Sequence, residues 1–90
     1  MTYSIVRLTV ADYARWRTGF DDVATARRAL GATGNNQIYR DRDNPNTVTA
    51  ILEWEDEKKA REWFQSPALK EAQQKSGVTS VLGAHMVERS

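Results

Sequence analysis

His85 is the one imidazole in the chain, and a neutral imidazole takes up a proton near working pH more readily than any other side chain. In a catalytic reading it is the base that ionises a phenolic substrate. In a structural reading it is a histidine at a strand end or in a dimer seam, and the spacing favours this second reading. Aromatic residues form the other constellation. Tyr13, Trp16 and Phe20 recur at helical spacing, Trp63 and Phe64 follow Ala60 in the same rhythm, and Tyr39 and Trp54 sit in extended stretches. Three tryptophans in ninety residues can wall a flat apolar pocket. Trp16, Trp63 and Tyr39 are the candidate pocket residues, because each carries a polar tip. Phe20, Phe64 and Trp54 are expected in the core. Asn36, beside Asn35, offers an amide donor to a ligand oxygen, although a loop ahead of a strand accounts for the pair as well. Arg40 opens the alternating run Arg40-Asp41-Arg42-Asp43. The run suits a solvated hairpin tip, with Arg40 able to take a carboxylate at a pocket rim.

Several chemistries are disfavoured. The chain has no cysteine, which removes disulfides, thiolate ligands and thiol nucleophiles together. One histidine leaves only carboxylates to bind a metal, and no spacing gathers them. No metal is expected, and a lone His is slim support for haem. Phosphate-binding glycine loops, a Gly-x-Ser-x-Gly elbow and His-Glu-x-x-His are all missing from the sequence. Thirteen basic residues against twelve acidic ones give a formal charge of +1, without the basic excess of a nucleic-acid footprint. No apolar run approaches the roughly 20 residues of a membrane span, and no signal peptide is visible. The expectation is a cytoplasmic protein in which residues 1–90 form one domain.

The elements that must hold these side chains are legible from periodicity. Thr2 to Val10 is rich in β-branched residues, with Val6, Leu8 and Val10 on one face and Tyr3 and Ile5 on the other. Asp12 is placed to start a helix running to about Leu30, with Arg27 and Arg28 suiting its C-terminal dipole and Gly31 ending it. Gly34 to Arg40 reads as a second strand and Thr47 to Trp54 as a third, joined as a hairpin through a turn around Pro45. Glu55, Asp56 and Glu57 open a second helix. Ser66-Pro67 predicts a break and a fresh start, and Gly77 an end. Val78 to Val87 is the last strand, with Val81, His85 and Val87 on one face and Leu82, Ala84 and Met86 on the other.

That order, β-α-β-β-α-β, predicts an α+β ferredoxin-like fold: a four-stranded antiparallel sheet with both helices on one face. The uncovered face should then be polar, yet it carries Tyr3, Ile5 and Ile51 beside its threonines. A half-apolar bare face is more comfortable against a second sheet, so a homodimer through sheet faces is expected, closing a barrel. Arg7 also lies on that face, where an ion pair with Glu53 is expected.

The sequence resembles the dimeric α+β barrel superfamily, and in it the small domains named for antibiotic-biosynthesis monooxygenases. The residues that carry the resemblance are Asp12-Tyr13-Ala14-Arg15-Trp16 with Phe20-Asp21, then Arg27-Arg28-Ala29-Leu30-Gly31-Ala32. Tyr39-Arg40-Asp41 and Asn44-Pro45-Asn46-Thr47-Val48 follow, then Glu53-Trp54, Ala60-Arg61 and Ser66-Pro67-Ala68-Leu69. They span about Val6 to Val78. The resemblance implies a cofactor-independent monooxygenase of an aromatic or polyketide-like compound, needing no cofactor because the substrate carbanion itself reduces dioxygen. In that picture His85 is the base or an orienting donor, and Trp16, Trp63, Tyr39 and Asn36 shape the pocket. The same fold also serves non-catalytic barrels that bind a small hydrophobic ligand, and isomerase or cyclase-like enzymes.

Overall fold

The computed structural model describes all ninety residues, Met1 to Ser90. The elements run β1 (Thr2–Val10), α1 (Tyr13–Asp22), α2 (Ala24–Ala29), β2 (Ala32–Arg40), β3 (Thr47–Trp54), α3 (Glu57–Phe64), α4 (Pro67–Ser76) and β4 (Val78–Glu88). The strands form one antiparallel sheet in the order β2-β3-β1-β4, the ferredoxin-like arrangement the element order predicts. Alternation decides which side chains the helices cover. Val6, Leu8 and Val10 of β1, with Val48, Ala50, Leu52 and Trp54 of β3, are buried on the helix side. Tyr3, Ile5, Arg7 and Thr9 face the other way, beside Glu53, Ile51, Thr49 and Thr47 of β3. Trp54 is wholly buried and donates its indole N–H to the buried Ser4 hydroxyl at 2.9 Å, so its one polar atom is satisfied.

The first helical stretch is two helices rather than one. At Val23 the backbone leaves helical geometry (φ −102°, ψ 15°), which strips the last carbonyls of α1 of their intrahelical donors. The guanidinium of Arg27 takes up one of them, Nη1 donating to the Phe20 carbonyl at 2.7 Å. The other predicted boundaries follow their chemistry. Asp12 caps α1 by accepting from the Ala14 N–H, and Asp56 caps α3 by accepting from Lys58. Ser66 caps α4 by accepting from Leu69, with Pro67 in its first turn. Gly77 ends α4 in the left-handed conformation (φ 79°), which costs a residue without Cβ nothing. α1 and α4 lie so close that a Cβ on Gly19 would stand 2.6 Å from the Ser76 Cβ. No helix is long and apolar enough to cross a membrane.

β4 departs from simple alternation. Arg7 pairs with Gly83 but Leu8 pairs with Val81, so one extra residue is accommodated and the faces exchange there. Val81 therefore comes to the helix side with Ala84 and Met86, not to the side of His85 and Val87. Arg7 does not meet Glu53. Its Nη2 lies 3.0 Å from the Asp41 carboxylate and its Nη1 donates to the Thr49 hydroxyl, because Asp41 follows β2 at the end nearest Arg7. Glu53 instead accepts from Tyr3, Thr33 and Asn35.

Candidate functional site

Between the helices and the sheet lies an apolar cavity of about 60 Å3, ample for more than one water but too small alone for a ring system. Val6, Leu8, Ala50 and Leu52 make its sheet wall. Trp16, Phe20 and Val23 of the first helix pair close it from above, and Trp63, Phe64 and Leu69 close it from the side. Alternation along β1 and β3 and helical spacing along α1 put these side chains there. Trp16 also stacks between Tyr13 and Phe20, with ring centroids 5.9 and 5.1 Å away.

The cavity does not stand alone. A groove of about 390 Å3 runs between α3, α4 and β4, and Val6, Phe64, Leu69 and Gln73 line both spaces. The groove falls in the size range of small-molecule sites, roughly 300–1,000 Å3. Its inner wall is Val81, Ala84 and Met86 of the edge strand, and its rim carries Arg61, Gln65 and Lys70. Together they make a wide polar-rimmed mouth leading to a narrow aromatic chamber.

The structure divides the candidate residues of the sequence. Trp16 and Trp63 are buried and line the cavity. Asn36, Tyr39, Arg40 and His85 do not line it. Asn36 lies opposite Leu52 in β2, on the helix-covered face, and its Oδ1 is buried without a hydrogen-bond partner. Tyr39 lies on the bare face, 55% exposed. Arg40 spans the hairpin end, donating to the Pro45 carbonyl at 2.9 Å and lying 4.0 Å over the Tyr13 ring. Both contacts hold it at the hairpin end, away from the cavity. His85 pairs with Ile5 and is exposed. Its Nε2 reaches over Gly83, 3.5 Å from where a Cβ would stand. The residue borders the groove from the edge strand, but its ring is turned to the bare side, so it is not positioned as a base for the cavity.

One cavity residue went unrecognised as such. Arg27 is 3% exposed, stacks its guanidinium 3.8 Å over the Phe20 ring and borders the cavity. Burial pushes its pKa down to about 10, with the charge of Asp21 opposing that shift, so it stays cationic at neutral pH. A signal was present, since Arg27 follows Trp16, Phe20 and Val23 at helical spacing, on the apolar stripe. The dipole at the helix end offered a sufficient local account and hid it. No group of three His, Asp or Glu side chains gathers as a metal site.

A model of the family described as antibiotic biosynthesis monooxygenase matches residues 21–75. No curated protein matches the sequence significantly. Solved structures similar to the chain include a Bordetella bronchiseptica protein provisionally named an antibiotic biosynthesis monooxygenase. It is 18% identical, covers 99% of this chain and 96% of its own, and has a TM-score of 0.80. SnoaB, a cofactor-independent oxygenase from Streptomyces nogalater, is 17% identical over 99% of this chain and 92% of its own, with a TM-score of 0.79. A Deinococcus radiodurans protein with the same provisional name is 18% identical over 100% and 93%, with a TM-score of 0.72.

Proposed function

The chain belongs to the antibiotic biosynthesis monooxygenase family, and from that premise we propose that it is a cofactor-independent oxygenase of an aromatic or polyketide-like small molecule. The observation that carries this reading is the aromatic chamber walled by Trp16 and Trp63 and continuous with the groove. A flat ring system held in the groove places its reactive edge at the chamber, away from bulk water. A methylene made acidic by a neighbouring phenol or enol gives up its proton, and the resulting anion reduces dioxygen. The change from CH2 and O2 to C=O and H2O balances without an external reductant. The protein's part is to hold the anion in a dry, pre-shaped site. Likeness to SnoaB, named a cofactor-independent oxygenase, supports the same reading.

A second reading is favoured by one observation. The cavity lining contains no His, Asp, Glu or Tyr, and so no conventional base, which suits a barrel that binds a small hydrophobic ligand without turnover. Oxygen uptake with 1,8-dihydroxyanthrone separates the two. The oxygenase reading expects uptake matched by quinone formation above the buffer rate, undiminished in His85→Ala and lost in Trp63→Ala. Binding of the anthrone without uptake in the wild-type protein overturns it in favour of the ligand-binding barrel.

For the bare sheet face we propose a second copy of the chain as partner, sheet against sheet. Ile5, Ile51, Tyr39 and Val87 supply its apolar area, and paired sheets of this kind pack through such side chains. His85 then sits in the seam.

A further inference from the structure

We propose that Arg27 is the anion-recognising residue of the chamber, and that the site takes its ligand as an oxyanion. The inference rests on the chamber being the ligand site. Arg27 is the only ionisable residue in the lining. Its fork of N–H donors makes a single hydrogen bond within the chain, to the Phe20 carbonyl, and the rest of the fork has no protein partner and keeps access to solvent. No carboxylate lies within ion-pair distance. Asp21, whose charge acts on Arg27, is paired with Arg17 at 3.4 Å on the exposed side of α1, and Arg17 itself repels Arg27.

A buried cation without a counter-charge is costly, and folded proteins pair such groups. Here the aromatic stack on Phe20 and one carbonyl hold the guanidinium in place, with its remaining donors left to water. An anionic ligand oxygen completes the set. Gln73 and Ser76, the other polar residues of the lining, bring no competing charge.

This supplies what the chamber lacks as an enzyme site. A phenol or enol whose ring lies in the groove and whose hydroxyl enters the chamber beside Arg27 needs no protein base. Its O–H bond breaks, the proton passes to water at the groove mouth, and the electron pair stays on the oxygen opposite the guanidinium. The residue acts by lowering the pKa of the ligand, and the selected ligand class is small aromatics bearing an acidic hydroxyl or a carboxylate.

The test uses the intact protein with 4-nitrophenol, whose anion alone absorbs visible light, and with 4-nitroanisole as its neutral analogue. Quenching of the tryptophans reports binding of each. The expected result is that bound 4-nitrophenol ionises about one pH unit lower than free, a roughly tenfold preference for the phenolate. Arg27→Met abolishes this preference while 4-nitroanisole still binds, and Lys70→Gln at the groove rim leaves it intact. Should Arg27→Met fail to fold, the wild-type shift and Arg27→Lys decide, the lysine keeping part of the shift. Binding of 4-nitroanisole with no shift in 4-nitrophenol overturns the role of Arg27 and leaves the pocket standing, as does loss of the shift in Lys70→Gln. Binding of neither probe overturns the pocket itself. Benzoate distinguishes the two sources of the oxyanion. Arg27-dependent binding as tight as that of the phenolate assigns carboxylic acids to the site, and weaker binding assigns phenols and enols.

Discussion

The two faces of this one sheet treat polar groups in opposite ways. On the bare face they satisfy one another. Arg7 is shared between Asp41 and Thr49, Glu53 collects Tyr3, Thr33 and Asn35, and Thr9 bonds to Thr79 and Ser80. On the covered face, where an unmet group costs more, Ser4 and Trp54 are matched to each other. Arg27 has one protein partner, its other donors being left to water, and the Asn36 Oδ1 is buried with none. Solvent would have forgiven such omissions outside. Inside, at the cavity wall, Arg27 keeps donors free for a ligand, as the proposed anion site requires.

The sharpest way to break the contrast is to empty the covered face. Trp54 is the largest wholly buried side chain and packs against Phe64, ring centroids 6.0 Å apart. Trp54→Ala removes that volume and orphans the Ser4 hydroxyl, so a loss of about 3–5 kcal/mol is expected in urea denaturation. A loss below about 1 kcal/mol would mean that the covered face is not the source of cohesion.

How much of this was readable in the residues themselves follows the same division. Thr2–Val10 and Thr47–Trp54 are bounded as the alternation predicts, because both strands have one side in the core and each step of two is reinforced by burial. The break at Val23 was not readable. Trp16, Phe20 and Val23 keep helical spacing straight into Ala24–Ala29, and the signal that interrupts it is tertiary, a guanidinium reaching back to the Phe20 carbonyl. The exchange of faces at Val81 was equally hidden, since a bulge in an edge strand apolar on both faces leaves no mark in the pattern. Of the site, Trp16 and Trp63 were legible as aromatics with polar tips on apolar stripes. Tyr39 met the same criterion but lies on the bare face, because the pattern of β2 is mostly polar and does not say which side is covered.

A milder probe acts on the bare face. Ile51 sits at its centre, opposite both Ile5 and Gln37. If two sheets meet there, Ile51→Lys places like charges across a two-fold interface and the protein sediments as a monomer where the wild type is a dimer. The folded chain itself changes by no more than about 1 kcal/mol, the scale of a cross-strand pair. A wild-type protein that is already monomeric at micromolar concentrations ends the sheet-pairing proposal, and leaves the covered face untouched.

The smallest effect expected comes from acid, and it tests the charge network of the bare face. Hydrogen bonds hold the Glu53 carboxyl below its ordinary pKa. The Thr33 hydroxyl contributes most, burial works against the shift, and Tyr3, Asn35 and the N-terminal charge add to it. A carboxyl lowered on folding stabilises the protein above its unfolded pKa of about 4.3. That contribution is lost as pH falls through the lower folded value. Glu53→Gln should therefore be less stable than wild type at pH 7, with the gap closing as the pH drops below about 4. Arg27 predicts nothing in that window, since a guanidinium keeps its charge throughout, and the acid-sensitive Glu71–Lys75 pair of α4 is common to both proteins and cancels in the difference. Denaturation curves at pH 7 and pH 3 decide it. A gap of the same size at both would mean that the amide loses packing and not charge, and that the bare face holds its polar network by shape.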